Sequence, residues 1–260
     1  MTRILRRLAS SLIPKRIKTA FRKFVKPDPF RGDNVQCTVC NAEYAMFGPY
    51  GTKQRKNALC FNCGSLERHR LLWMFMERKT DLPSGKKIRL LHFAPEKCFF
   101  KKFTSLSNIE YFPCDLFPEI FKFDKTGKIQ KIDITAIPHS DNYFDVILCN
   151  HVLEHIPDDR RAMRELHRVM AKGGWGIFQV PIDYNREKTY EDFSITSPEE
   201  RAIAFGQIDH VRWYGQDYKE RLKSVGFDVD ENDYVRKFSA AEVARFGFNS
   251  GEMIYHCNKT

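Results

Sequence analysis

DITAIPHSDNYFDVILCNHVLEHIPDDRRAMRELHRVMAKGGWGIFQVPI, residues 133–182, is the stretch on which the fold turns. Within it residues 144–149 (FDVILC) form a short continuous apolar run, the pattern of a strand buried on both faces. Asn150 and His151 follow at its carboxyl end. Pro157 opens a predicted helix, with Asp158 and Asp159 in a first turn whose dipole favours acid. Met163, Leu166, Val169 and Met170 recur at three- and four-residue spacing and give that helix one apolar face. Gly173 and Gly174 are expected to stop it, and residues 175–180 to form the next strand. A strand–helix–strand crossover of this kind is right-handed and builds a parallel sheet. Ligands of open parallel sheets bind beyond the carboxyl ends of the strands, so Asn150 and His151 mark a predicted site.

The pattern extends in both directions. Upstream, residues 88–93 (IRLLHF) read as a first strand, 109–114 (IEYFPC) as a second ended by Asp115, and 128–132 as a short third that places Asp133 at its carboxyl end. Downstream, residues 183–214 are polar and long for a connection, which is the profile of a functional lid. Donors, acceptors and aromatics crowd its end: Asp209, His210, Arg212 and Tyr214. Residues 217–225 form a predicted helix capped by Gly226. Residues 227–230 begin a sixth strand, and 253–257 form the last, an antiparallel insert.

The run DIT–IP–SD–YFDVILCNHVLEHI, followed by Gly-Gly before the next strand, resembles the class I S-adenosylmethionine-dependent methyltransferases over roughly residues 88–260. The resemblance implies an α/β fold: a Rossmann-like, seven-stranded, mostly parallel sheet with helices on both faces. It also implies that Asp133 contacts the adenine amine and that Ile134 lies along the adenine ring, with Asn150 nearby. Asp115 would accept hydrogen bonds from the two ribose hydroxyls; the alternative is an Asx turn leading to Pro118. One departure stands out. Typical members have an acid and a glycine-rich loop after the first strand, whereas this chain has HFAPE at 92–96, with no glycine between Gly85 and Gly127. Phe93 and Ala94 would then line the cofactor's approach, and Glu96 would take the acidic role on its amine or serve as a first-turn acid. HFAPE with CNHVLEH downstream is similar to a bacterial, type 11-like methyltransferase subgroup.

Cysteine spacing supplies a second feature. Cys37-Thr-Val-Cys40 and Cys60-Phe-Asn-Cys63 are two C-x-x-C pairs separated by 19 residues, within the range of four-cysteine zinc sites. The intervening polar segment is too short to bury a core, so metal would supply its stability. The competing reading is a set of redox dithiols. Cys98, Cys114, Cys149 and Cys257 lack a paired pattern, and thiol retention suits a reducing compartment. Residues 65–79 give a helical apolar stripe that links this zinc ribbon to the main domain; His69 on it is a weaker ligand candidate. The expected organisation is a basic tail over 1–30, ribbon and linking helix over 31–80, and a methyltransferase domain over 81–260 with a substrate-cover insertion at 183–214.

Charge narrows the function. The chain has 260 residues and a net charge of +10, but residues 1–27 carry nine Lys or Arg and no acid, leaving 34 basic and 33 acidic groups elsewhere. The tail's Leu5, Leu8 and Leu12, then Ile17, Phe21 and Phe24, recur at helical spacing. A basic amphipathic segment suits an anionic membrane surface, here the inner face of the membrane of a cytoplasmic protein; a docked tail and a transit peptide are the alternatives. No apolar run approaches the ~20 residues that span a bilayer. Methyl transfer is an in-line attack on a sulfonium methyl, in which alignment does much of the catalysis. A hydroxyl nucleophile also needs a base, for which His151 and His210 are the candidates, with Tyr214 as a further catalytic group in the cover. The leading expectation is methyl transfer to a small-molecule or glycan-precursor acceptor. An RNA methyltransferase using ribbon and tail is the second, disfavoured by the nearly neutral body. A non-catalytic binding module of the same fold is the third.

Overall fold

The computed structural model describes residues 30–51 and 54–260, so the expected basic tail lies outside the described residues but for Phe30. The first module consists of two small hairpins. β1 (Val35–Gln36) pairs antiparallel with β2 (Glu43–Tyr44), and β3 (Gly48–Tyr50) with β4 (Arg55–Leu59). Each C-x-x-C turn closes in the same way, Asn41 N donating to Cys37 O at 2.8 Å and Gly64 N to Cys60 O at 2.9 Å. Both closing residues are left-handed, with φ of 60° and 77°, and Asn is the residue that tolerates this region best after Gly. Helix α1 (Glu67–Lys79) follows directly.

The main sheet takes β5 (Ile88–Phe93), β6 (Ile109–Asp115), β7 (Gln130–Lys131), β8 (Phe144–Asn150), β9 (Met170–Gln179), β12 (Asp228–Asn232) and β13 (Ile254–Asn258). Their order is β12-β13-β9-β8-β5-β6-β7, and only β13 runs antiparallel to its neighbours. This is the expected seven-stranded, mostly parallel sheet. Between β9 and β12 the insertion forms its own hairpin of β10 (Tyr190–Glu191) and β11 (Arg212–Trp213). The remaining helices are α2 (Lys97–Thr104), α3 (Asp159–Val169), α4 (Pro198–Phe205), α5 (Tyr218–Lys223) and α6 (Ala240–Phe246).

The strands alternate between two cores, as period-two side chains require. Leu90, Val146, Leu148 and Ile177 face one core with Trp73 and Phe75 of α1 and Phe99 and Phe103 of α2. Leu91, Ile147, Cys149 and Phe178 face the other with Met163, Leu166 and Val169 of α3. The first core continues into the ribbon through Val35, Cys37 and Phe47. Arg70, fully buried, joins ribbon, α1 and the segment after α6: it donates to Ala58 O, Ser65 O, Phe246 O and Gly247 O and stacks over the Phe47 ring at 3.8 Å.

Two local expectations need correction. Pro157 does not open α3. A 3-10 turn at Leu153–His155 comes first, and Asp158 is the cap, accepting from Arg161 N at 2.9 Å. Nor do the glycines stop α3. The helix ends at Val169 and β9 starts at once, with Gly173 (φ 74°) and Gly174 inside a bulge against β8. A Cβ on Gly174 would sit 2.8 Å from Asp145 O, so close strand approach is what excludes a side chain. Among the described residues, no helix is long and apolar enough to cross a membrane.

Candidate functional site

β5 is central, and the chain runs outward to β6 and β7 before returning to β8 on its other side. The gap between the carboxyl ends of β5 and β8 is therefore a topological switch point. Two residues there hold left-handed backbone without being glycine: Ala94 (φ 46°) after β5 and His151 (φ 55°) after β8. Such backbone costs a residue with a Cβ about 1 kcal/mol, and it persists where surroundings enforce it. Ala94 thus makes the turn that a glycine-rich loop makes elsewhere, held by its N–H to Cys114 O at 3.0 Å.

A buried polar chain ties the strand ends together. Tyr111 OH lies 2.9 Å from His92 Nδ1, and His92 Nε2 lies 2.8 Å from Glu96 Oε2. Asn150 Nδ2 donates to Glu96 Oε1 at 3.2 Å, and His69 Nε2 is 3.8 Å from the same oxygen. Burial, the largest single influence, pushes the Glu96 carboxyl up, but the hydrogen bond and charge of His92, the charge of His69 and a backbone N–H together outweigh it and hold the group at about 2. Glu96 is the residue before α2 and does not cap it, so the first-turn reading fails: its carboxylate turns back into this chain. His92 and Tyr111 escaped sequence reasoning. Both sit on strand positions that read as plain core, and only their pairing across β5 and β6 exposes the link.

The other expected cofactor residues line the same edge. Asp115, half-buried at the end of β6, accepts from Phe117 N at 2.8 Å, and burial pushes its carboxyl up. Asp133 is exposed and accepts from Thr135 N and Oγ1, both at 2.8 Å. The Phe93 and Ile134 side chains are packed in the second core. Asn150 Oδ1 is buried with no partner, an acceptor left over at the switch point.

Beyond β8 and β9 a cavity of about 300 Å³ opens. His151, Gln179 and Tyr255 line its sheet side, and Arg55, Glu67 and Arg68 of the ribbon and α1 lie across from them. The His151 side chain is about one-third exposed, its Nδ1 3.4 Å from Glu154 Oε1, and its Nε2 is buried with no partner. His210 and Tyr214 do not line this cavity; from the insertion only Tyr184 does. His210 is buried, its Nδ1 3.1 Å from Phe205 O, and burial lowers its pKa. Tyr214 is fully buried in an ion-pair knot, donating to Asp159 Oδ2 at 2.8 Å. Arg221 reaches the same oxygen at 3.0 Å, and Arg212 and Arg221 both hold Glu191. The knot pins the insertion to the start of α3. It accounts for the density of polar and aromatic groups at 209–214 as anchoring, and Tyr214 has no free surface from which to meet a substrate.

The four ribbon cysteines converge, each offering its Sγ within 4.8 Å of the others. Cys37 Sγ lies 3.7 Å from Cys63 Sγ, and Cys40 Sγ 3.6 Å from Cys60 Sγ. Mutual hydrogen bonding drives the four thiols apart, Cys40 and Cys60 down and Cys37 and Cys63 up, as expected of sulfurs packed this closely. His69 is not part of it: its Nδ1 accepts from Leu66 N at 3.1 Å.

Residues 99–178 match the family described as a methyltransferase domain. No curated protein matches the chain significantly. Among solved structures, an S-adenosylmethionine-dependent methyltransferase from Mesorhizobium loti is 15% identical, with 73% of this chain and 98% of that one covered at a TM-score of 0.50. The YcgJ protein from Bacillus subtilis is 14% identical, with 74% and 99% covered at 0.48. The Burkholderia thailandensis 1,6-didemethyltoxoflavin-N1-methyltransferase, solved with its substrate and S-adenosylhomocysteine, is 13% identical, with 69% and 74% covered at 0.41. Residues 99–178 thus match a methyltransferase domain, and the main sheet shares its Rossmann-like fold with the Mesorhizobium protein.

Proposed function

We propose that the protein transfers a methyl group from S-adenosylmethionine to a small-molecule or glycan-precursor acceptor seated in the cavity beside His151. The observation that carries this reading is His151 itself. It is held in left-handed backbone at the end of β8, with Glu154 behind one ring nitrogen and the other unpartnered beside the cavity. Glu154 Oε1, 3.4 Å from Nδ1, favours the proton on that nitrogen and so the lone pair on Nε2, the arrangement of a general base and its orienting group. The cofactor, when bound, supplies an electrophilic sulfonium methyl. Asp115 would hold the ribose, and Asp133 and the Ile134 backbone the adenine. The left-handed turn at Phe93–Ala94 and the leftover Asn150 acceptor fit its amino-acid end. Cys37, Cys40, Cys60 and Cys63 would hold one structural zinc, which fixes the knuckles next to the cavity. The nine positive charges of residues 1–27 suit peripheral binding to an anionic membrane.

Titration of purified protein with S-adenosylmethionine in a calorimeter tests the cofactor half. Binding is expected, and Asp115→Ala should weaken it at least tenfold by removing a charge-assisted acceptor worth about 1.5–3 kcal/mol. Absence of binding would leave the fold without this chemistry. The acceptor half is tested by incubating enzyme and cofactor with metabolite extracts and searching for products heavier by one methylene.

A further inference from the structure

A second cluster of metal-ligating groups shares Glu154 with His151. Glu154, His155 and His210 each offer a ligand atom, and these atoms lie within 4.8 Å of one another. The three come together for a local reason. Glu154 and His155 belong to the 3-10 turn after β8, and Val211 N donates to Glu154 O at 2.9 Å, which clamps residues 210–211 of the insertion against that turn.

Hydrogen bonding fixes the state of both imidazoles. His210 Nδ1 lies 3.1 Å from the Phe205 carbonyl, and His155 Nδ1 lies 3.2 Å from the Asp209 carbonyl and 3.4 Å from the Asp209 carboxylate. A carbonyl oxygen only accepts, so each Nδ1 carries the proton. Each Nε2 is then left with its lone pair. This is the second-shell pattern of metal-bound histidines, which donate their other N–H to a carbonyl or carboxylate. Glu154 adds an independent observation. Its side chain is 1% exposed, Oε1 faces His151, and Oε2 is buried with no partner. A buried carboxylate oxygen without a donor is costly unless a cation meets it.

We propose that Glu154, His155 and His210 bind a divalent first-row transition-metal ion, distinct from the zinc of the ribbon. Two imidazoles and one carboxylate are a familiar donor set for such ions and leave coordination positions open to water or a ligand. Metal–ligand bonds of about 2.0–2.2 Å need donor atoms roughly 3.4 Å apart, so small side-chain rotations close the set. The ion would sit one residue's width from His151 and compete with it for the Glu154 carboxylate.

Metal analysis and Co²⁺ titration test this without any acceptor or cofactor. Protein keeping its ribbon zinc, dialysed against a weak chelator, should take up one further Co²⁺. The spectrum should show d–d bands without the thiolate charge-transfer absorption that a cysteine site gives. Glu154→Gln and His210→Ala should each weaken this uptake at least tenfold while the ribbon retains one zinc. His155→Ala, at a partly exposed side chain, serves where His210→Ala lowers folding yield. Uptake of no ion beyond the ribbon zinc by the wild-type protein, or equal uptake by Glu154→Gln and His155→Ala, would overturn the proposal. Since S-adenosylmethionine binding is measured separately, failure here leaves the methyl-transfer reading standing.

Discussion

At the scale of single residues, the site depends on backbone that its side chains do not favour. His151 holds φ at 55°, where Asn is better tolerated and Gly carries no penalty. His151→Asn should therefore leave stability within about 0.5 kcal/mol of wild type while removing the base. Turnover should fall by about 10²–10⁴-fold, with S-adenosylmethionine affinity within about threefold; unchanged turnover would move the base elsewhere. The turn at Ala94 was legible only in part. HFAPE contains no glycine, so nothing in composition announces a left-handed residue, and only the β5–β6 hydrogen bond reveals that an alanine takes the turn. His69 gives a pH prediction. Burial pushes its pKa down to about 3, so the folded protein keeps it neutral. Below about pH 6.5 the unfolded chain gains a proton that the folded one refuses, and stability falls by up to about 1.4 kcal/mol per pH unit. Above pH 6.5 this contribution is complete. His69→Gln keeps an acceptor for Leu66 N and should flatten urea-derived stability between pH 6.5 and 4.5 by close to one proton. An unaltered slope would mean that His69 is protonated in the fold.

At the scale of elements, what the sequence carried was periodicity, and what it lacked was partners. The continuous apolar runs of the strands and the apolar face of α3 are plain in the sequence, and β5 runs over the expected residues 88–93. The start of α3 and the Gly173–Gly174 pair were misread because the same residue types serve two purposes. Proline opens helices and also precedes caps, and paired glycines end helices and also fill bulges. Helix α6 went unseen although Ser239 and Glu242 form a capping box, since its one short apolar face packs on the ribbon rather than on the sheet. Arg70 joins these elements. Its guanidinium satisfies four backbone carbonyls from β4, the second knuckle and the α6 end, which otherwise have no shared donor. Arg70→Met keeps the aliphatic bulk and removes the donor from all four, of which Ser65 O keeps Cys60 N, a loss of about 3 kcal/mol. Urea unfolding followed by tryptophan fluorescence measures it. A loss under about 1 kcal/mol would show that water replaces the guanidinium and that the ribbon is held by its core contacts.

At the scale of the whole molecule, the ribbon and the sheet divide the proposed reaction between them. The residues proposed for the cofactor, at 93, 94, 96, 115, 133, 134 and 150, sit on or just past strands of the main sheet, whereas Arg55, Glu67 and Arg68 reach the cavity from the ribbon and the start of α1. The second knuckle ends at Gly64, three residues before α1 begins, so the geometry of the cysteines sets where Glu67 and Arg68 stand. Removing the zinc proposed for the four cysteines should therefore separate the two halves. Cys60→Ser is the suitable perturbation, because a chelator would also strip the site at Glu154. The variant should lose about one zinc per chain and become sensitive to trypsin at Arg55 and Lys56, which are exposed beside the knuckle. Its S-adenosylmethionine affinity should stay within about threefold, since the switch point between β5 and β8 is built without ribbon residues. Methyl transfer to the acceptor should fall at least tenfold, with the loss appearing in KM, because the wall of the cavity has moved and His151 has not. If Cys60→Ser lost its zinc yet kept wild-type KM, the ribbon would be a separate module and the acceptor would have to lie elsewhere along the sheet edge. A parallel loss of cofactor affinity would instead mean that the shared core of Val35, Phe47 and the α1 face transmits the disorder into the sheet.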